Sequence, residues 1–148
     1  MPDIVHPQIQ PKTLVLNVSK TLLDTEYVFG KGLIINKRPG LNNFLKKMST
    51  MYEVVIFSDD DSMLLNTLIP SLDPRRQIFT GYFGHECMVF SRGKYIKDLK
   101  YLNRDLKKVI VIDKNKGVCE KNKENVITLT EYKGDENDRE LLSLGALL

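Results

Sequence analysis

Thr13-Leu14-Val15-Leu16-Asn17-Val18-Ser19-Lys20-Thr21-Leu22-Leu23 is an apolar run that breaks into a polar turn. The unbroken apolar run Leu14-Val15-Leu16 marks a strand over Thr13–Val18 that is covered on both faces, as in a parallel sheet. Two further runs have the same character: Val54-Val55-Ile56-Phe57 within Glu53–Phe57, and Val109-Ile110-Val111-Ile112-Asp113. Each is followed at once by polar groups, Ser58 after the second and Asp113-Lys114 at the end of the third. An open α/β sheet binds ligands outside the carboxyl ends of its strands, so Asn17, Ser19, Ser58, Asp113 and Lys114 form one candidate site.

Outward from these strands the punctuation is clear. Leu22–Asn36 reads as two extended pieces around Gly30-Lys31-Gly32, a hairpin turn signal. Lys37-Arg38-Pro39-Gly40 launches a helix whose Leu41, Phe44, Leu45 and Met48 recur at i, i+3, i+4 and i+7. Asp59, Asp60, Asp61 and Ser62 offer caps to a helix running to Leu72, which Asp73-Pro74 stops. Ile78–Phe83 reads as a short strand. Met88–Phe90 and Tyr95–Lys97 read as a hairpin around Ser91-Arg92-Gly93, and Val126–Leu129 as a weaker strand. A terminal helix follows from Asp138, with Leu141, Leu142 and Leu144 facing in. Pro2, Pro7 and Pro11 withhold backbone donors and predict an extended arm over 1–12, ahead of a single domain over 13–148.

The bulk properties fit one globular domain: 148 residues, 42% hydrophobic and 28% charged. The net charge is +3. Lys and Arg are interleaved with Asp and Glu along the chain, which gives nucleic-acid binding little support. Cys87 and Cys119 are far apart and lack CxxC spacing, so they read as reduced structural thiols. No eighteen-residue apolar window occurs, so no membrane span is expected in this chain. Residues 1–10 lack both the core of a secretory signal and the Arg-rich pattern of a transit peptide, which leaves a naturally soluble chain or the trimmed folded part of a longer precursor.

From Leu14 onward the chain resembles the phosphatase domain shared by the C-terminal-domain phosphatases and the NLI-interacting-factor proteins, in the haloacid dehalogenase superfamily. The segments that carry the resemblance are Lys37-Arg38-Pro39-Gly40, Tyr52-Glu53-Val54-Val55-Ile56-Phe57-Ser58, Leu72-Asp73-Pro74, Tyr95-Ile96-Lys97-Asp98-Leu99 and Leu102-Asn103-Arg104-Asp105-Leu106. Within that group the last segment, leading into Lys108-Val109-Ile110-Val111-Ile112-Asp113, is similar to the branch that serves the mitochondrial presequence translocase. Glu124-Asn125-Val126-Ile127 and Gly134-Asp135 echo the family's closing segment. The fold implied is a haloacid-dehalogenase-like open, mainly parallel sheet with flanking helices and a small β-hairpin insertion.

The resemblance assigns the nucleophile position to Asn17, the acid/base position to Ser19 and the motif threonine to Thr21. Ser58 takes the motif-two hydroxyl, Lys97 the phosphate-binding lysine, and Asp113 with Lys114 the motif-four pair, whose second member ligates magnesium in active relatives. An amide cannot attack phosphorus as a carboxylate does, and a serine hydroxyl is a far weaker acid than a carboxyl. Asp113 against Lys97 and Lys114 leaves a net +1 where a magnesium site needs anionic oxygens. A degenerate, non-catalytic site without metal or cofactor is therefore expected, with the Lys114 ammonium either replacing the ion or pointing to solvent.

The resemblance implies a receptor that binds mitochondrial targeting presequences and the channel-forming subunit of the translocase. Its place would be the intermembrane-space face of the inner membrane, in a mitochondrion or a relict mitochondrial organelle. Candidate partner-binding residues are Phe29, Lys31, Leu33 and Ile34 at the hairpin and Asp59, Asp60 and Asp61 as an acidic rim, with Phe79, Tyr82 and Phe83 as neighbouring aromatics. Two blander assignments stand beside these: helix capping by the aspartates, and folding of the hairpin residues back onto the core. His85 reads as an isolated hydrogen-bonding side chain, and Asp98, Arg104 and Asp105 as a structural ion network. Two other functions remain open. One is a residual protein serine phosphatase of the C-terminal-domain type, for which Asp24 is the nearest alternative carboxylate. The other is a pseudophosphatase scaffold outside mitochondria.

Overall fold

The computed structural model of the chain describes residues 11–148, so the extended arm expected over 1–12 lies, up to residue 10, outside the described residues. The elements are β1 (Thr13–Leu16), β2 (Leu23–Val28), β3 (Gly32–Lys37), α1 (Leu41–Met51), β4 (Glu53–Phe57), α2 (Ser62–Leu72), β5 (Phe79–Phe83), β6 (Val89–Ser91), β7 (Lys94–Ile96), β8 (Val109–Asp113), β9 (Val126–Thr128) and α3 (Glu140–Leu147). Five strands form a parallel sheet in the order β5-β4-β1-β8-β9. Leu16 sits at its centre, in register with Ile56 on one side and Ile112 on the other. The chain builds outward from β1 through β4 to β5, then crosses back to β8 and β9. The strand order therefore reverses at β1, and the crevice this opens lies at the carboxyl end of that strand.

Strand alternation separates two cores. Leu14, Leu16, Val54, Ile56 and Ile112 face one way, and against them pack Leu41, Phe44, Leu45 and Met48 of α1, Leu65, Leu68 and Leu72 of α2, and Leu141 and Leu144 of α3. Val15, Val55, Phe57 and Val111 face the other way and are covered by Leu99, Leu102, Val118 and Cys119, which lie in turns and short 3₁₀ pieces. The buried faces of all three helices thus meet the same side of the sheet. Both hairpins read from the sequence form: β2–β3 and β6–β7 are each an antiparallel pair.

Local chemistry sets the joins. α1 begins after Gly40, whose φ of 83° favours glycine; a Cβ there would also come 3.0 Å from Leu142 Cδ2. Asp61 caps α2, its side chain accepting from Leu64 N at 2.8 Å. Asp73, read from sequence as a helix stop, does more: its buried carboxylate accepts from the amides of Gln77, Ile78 and Phe79 and turns the chain into β5.

Arg38 has a side chain with no exposure. It donates to both Asp138 oxygens at 2.8 and 2.9 Å and to the carbonyls of Thr21 and Thr130, with the Tyr132 ring 5.5 Å away. The fork of the guanidinium suits such a convergence. It ties the hairpin base and the turn after β1 to the C-terminal segment.

Two sequence expectations need correction. Leu142 is half exposed rather than facing in, because it lies one residue round the helix from Leu141 and rests over Gly40 instead of the sheet. Arg104 pairs with Glu53 at 3.0 Å, while Asp98 and Asp105 cap 3₁₀ turns by accepting from Lys100 N and Lys107 N. The expected Asp98–Arg104–Asp105 network does not form.

Candidate functional site at the carboxyl ends of the strands

The switch point gathers the sequence-predicted residues. Asn17 follows β1, Ser58 follows β4, Asp113 ends β8, and Lys97 arrives from just beyond β7; all four are buried. Lys97 Nζ donates to Asp113 Oδ2 at 2.6 Å and to Asn17 Oδ1 at 3.0 Å. Asn17 Oδ1 also accepts from Asp59 N at 3.1 Å and lies 3.2 Å from Ser58 Oγ. Asn17 Nδ2 donates to Ser19 O and to Thr21 Oγ1. The amide is held by hydrogen bonds at both ends.

The residue that closes the site is Asp60. Its Oδ2 accepts from Ser58 Oγ at 2.6 Å and Ser19 N at 3.1 Å, and its Oδ1 from Ser19 Oγ at 2.5 Å. Three donors that face the crevice therefore converge on a carboxylate of the chain itself. Lys114 spans the mouth, donating to Ser19 O at 3.2 Å and pairing with Asp59 Oδ2 at 3.1 Å. The cation beside Asp113 is Lys97 and not Lys114, and Lys114 neither points free into solvent nor neutralises Asp113. With Asp59 and Asp60 drawn in, the net +1 expected from Asp113, Lys97 and Lys114 becomes −1.

These residues do not fit magnesium. Such an ion demands about six oxygens in near-octahedral array, whereas Asn17 Oδ1 already faces Lys97 and Asp59 N, and the Ser19 carbonyl faces the Lys114 ammonium. Among the described residues no group of three or more His, Cys, Asp or Glu is arranged to hold a metal. Asp24, the alternative carboxylate, lies on β2 and pairs with Lys20 at 2.7 Å.

The partner-binding candidates divide. Phe29 at the β2–β3 tip is fully exposed and Lys31 is exposed, whereas Leu33 packs against the core and Ile34 is half-buried. Tyr27, which sequence reasoning missed, is 83% exposed beside Phe29. It lies near the end of β2, two residues before Phe29 in the turn. Asp59, Asp60 and Asp61 do not form an open rim: the first pairs with Lys114, the second is internal, and the third caps α2.

Tyr82 is half exposed with its hydroxyl on Asn66, and Phe83 meets Phe57 at 5.9 Å. The His85 ring meets Tyr95 at a tilt, centroids 4.4 Å apart, and Phe90 meets Tyr95 edge-on at 5.1 Å. Burial pushes the Cys119 thiol up to about 12, which leaves it an unreactive core group. No helix among the described residues is long and apolar enough to cross a membrane.

The mitochondrial import inner membrane translocase subunit tim50 of Aspergillus fumigatus is 41% identical over 144 residues, spanning 97% of this chain but 28% of its own length. The TIM50 subunit of Caenorhabditis elegans is 36% identical over 151 residues, spanning 100% of this chain and 33% of its own. The chain thus matches only a minor part of these curated relatives.

Among solved structures, Fcp1, an essential RNA polymerase II CTD phosphatase, superposes with a TM-score of 0.71 at 19% identity, over 95% of this chain and 50% of its own. The cobalt-bound deoxy-D-mannose-octulosonate 8-phosphate phosphatase of Haemophilus influenzae gives 0.55 at 12% identity, over 93% and 86%. At such identities these likenesses show the fold alone, and that fold is the haloacid-dehalogenase-like one expected from the sequence. The description that matches nearly the whole chain, residues 12–148, is NLI interacting factor-like phosphatase, and the chain belongs to that family.

Proposed function

We propose that this chain is the receptor domain of a mitochondrial inner-membrane presequence translocase, a phosphatase fold that has exchanged hydrolysis for recognition. The observation that carries the reading is the self-satisfied site: amide for nucleophile at Asn17, and the donors of Ser19 and Ser58 spent on Asp60. General acid catalysis alone is worth about 10²–10⁴ in rate, and here no free carboxyl faces the place of a leaving oxygen. The similarity to translocase subunits supplies the biological setting.

In this reading the hairpin tip, with Tyr27, Phe29, Lys31 and Ile34, docks the channel-forming subunit on the intermembrane-space side. Asp61, exposed although it caps α2, offers charge to Arg-rich targeting presequences. Titration of a labelled, Arg-rich amphipathic presequence peptide into the purified chain tests it; saturable binding that weakens with salt is expected, and none at low salt overturns the receptor assignment. A second reading, residual serine phosphatase activity, draws on the buried Ser58, Lys97 and Asp113, and demands turnover that these residues control.

A further inference from the structure

The strand-end site places an amine, an amide and a carboxylate together out of water. Lys97 Nζ is 3.0 Å from Asn17 Oδ1 and 2.6 Å from Asp113 Oδ2. Asn17 and Asp113 are 1% exposed and Lys97 2%. A salt bridge flanked by a hydrogen bond describes these distances but not the rest of the arrangement. Asn17 Oδ1 also accepts from Asp59 N at 3.1 Å, a backbone donor that stands ready for negative charge developing on that oxygen. Asn17 Nδ2 is pinned by Ser19 O and Thr21 Oγ1, so the amide plane is fixed. The Phe57 ring lies 5.8 Å from Lys97 Nζ and helps to exclude water that would compete as nucleophile. Nζ lies 3.0 Å from the oxygen bonded to Cγ, and an amine that turns from that hydrogen bond into line with the acyl carbon reacts at effective concentrations of about 10⁵–10⁸ M.

We propose that Lys97 and Asn17 are joined by an intramolecular isopeptide bond, with Asp113 as the proton carrier. The Lys97 ammonium gives a proton to the Asp113 carboxylate, and the freed Nζ electron pair attacks Asn17 Cγ. The oxyanion that forms on Oδ1 is held by Asp59 N–H. A proton passes from the attacking nitrogen to Nδ2, the Cγ–Nδ2 bond breaks as the carbonyl re-forms, and ammonia departs. The departing ammonia takes the proton back from Asp113 and leaves as ammonium. One side-chain ammonium and one carboxamide become one secondary amide and one ammonium ion, with no oxidant or other reagent.

An aspartate at position 17 would present a carboxylate, a much poorer acyl acceptor, so the asparagine that ends phosphoryl transfer is the residue that makes this reaction available. The bond would join positions eighty residues apart, closing a loop that contains both hairpins. It rests on the reading of the site as closed to phosphoryl transfer, but it is tested by mass and not by turnover.

The test is the intact mass of the full chain, purified and then denatured. The expected result is a mass lower than that of the sequence by one ammonia, with a fragment spectrum that joins the peptide carrying Asn17 to the one carrying Lys97. Lys97→Arg and Asp113→Asn should return the full sequence mass. Where either variant fails to fold, the unaltered chain decides alone. The full sequence mass with both peptides free, as purified and after long incubation at neutral pH, overturns the proposal. A gain of one mass unit at Asn17, the mark of simple deamidation, overturns it equally.

Discussion

Asp60 accepts a 2.6 Å hydrogen bond from Ser58 Oγ, two residues before it in the chain, and with its other oxygen a hydrogen bond from the Ser19 hydroxyl. A carboxylate presents two oxygens to donors much as a bound oxyanion does. The site is therefore filled from within, and an external anion has to displace an intramolecular one whose effective concentration is high.

Catalytic silence follows. Magnesium-dependent hydrolysis of an aryl phosphate should match a heat-killed control, and Asn17→Asp alone should not restore it, since Asp60 still occupies the Ser19 and Ser58 donors. Robust turnover by the unaltered chain, abolished by Ser58→Ala or Lys97→Ala, would refute this.

Magnesium at millimolar concentration should leave the thermal midpoint unchanged, because a ligand stabilises only by preferring the native state. The Lys114 ammonium beside Ser19 O repels a cation there. A saturable rise in midpoint would show that the donor set does accept the ion.

Asp60→Ala should lower stability by about 1–3 kcal/mol, the usual cost of leaving buried donors unpaired. Inorganic phosphate or sulfate should then protect the variant while leaving the unaltered chain unaffected. Equal midpoints for the two chains with and without phosphate would show that Asp60 does not hold the site shut.

Arg38→Met should cost about 3–5 kcal/mol, as expected when a buried, hydrogen-bonded ion pair loses one partner. The Arg38 hydrogen bonds hold the Asp138 carboxyl below the usual carboxylate range. A carboxyl lowered by folding adds stability above its unfolded pKa and loses that contribution as pH falls through the folded one. Midpoints followed from neutral pH downward should therefore fall less steeply for Arg38→Met than for the unaltered chain; parallel acid limbs would assign the loss to packing alone.

At the β2–β3 tip, Tyr27→Ser and Phe29→Ser should shift stability by no more than about 0.5 kcal/mol, as is usual for exposed positions, whereas Leu33→Ser should destabilise because Leu33 reaches the core. If the tip docks the channel subunit, pull-down of that subunit's soluble segment should fall with the first two substitutions. Undiminished recovery by folded variants would end the docking idea.

The sheet was legible because its signal is local. Leu14–Leu16, Val54–Phe57 and Val109–Ile112 are apolar without interruption, and Gly30-Lys31-Gly32 states its turn in three residues. The site's residue list was legible for the same reason, since Asn17, Ser58 and Asp113 each follow an apolar run. Their pairing was not. Asp59, Asp60 and Asp61 are alike in sequence, and only the path of the chain sends one to Lys114, one into the crevice and one to a helix amide. Arg38 finds Asp138 one hundred residues away, and Lys97 rather than the adjacent Lys114 reaches Asp113. Contacts of that span depend on the register of whole strands, which no window of sequence contains.

The tie made by Arg38 bears on how a load would pass through the molecule. β3 ends at Lys37, and the next residue is anchored by its backbone amide to Leu22 O and by its side chain to Thr21, Thr130 and Asp138. Tension applied at the hairpin tip would run down both strands to a base clamped to the turn after β1 and to the C-terminal segment. The hairpin is in mechanical terms a lever with a fixed fulcrum: a partner pulling on it would move the domain as a rigid body before the base could peel away.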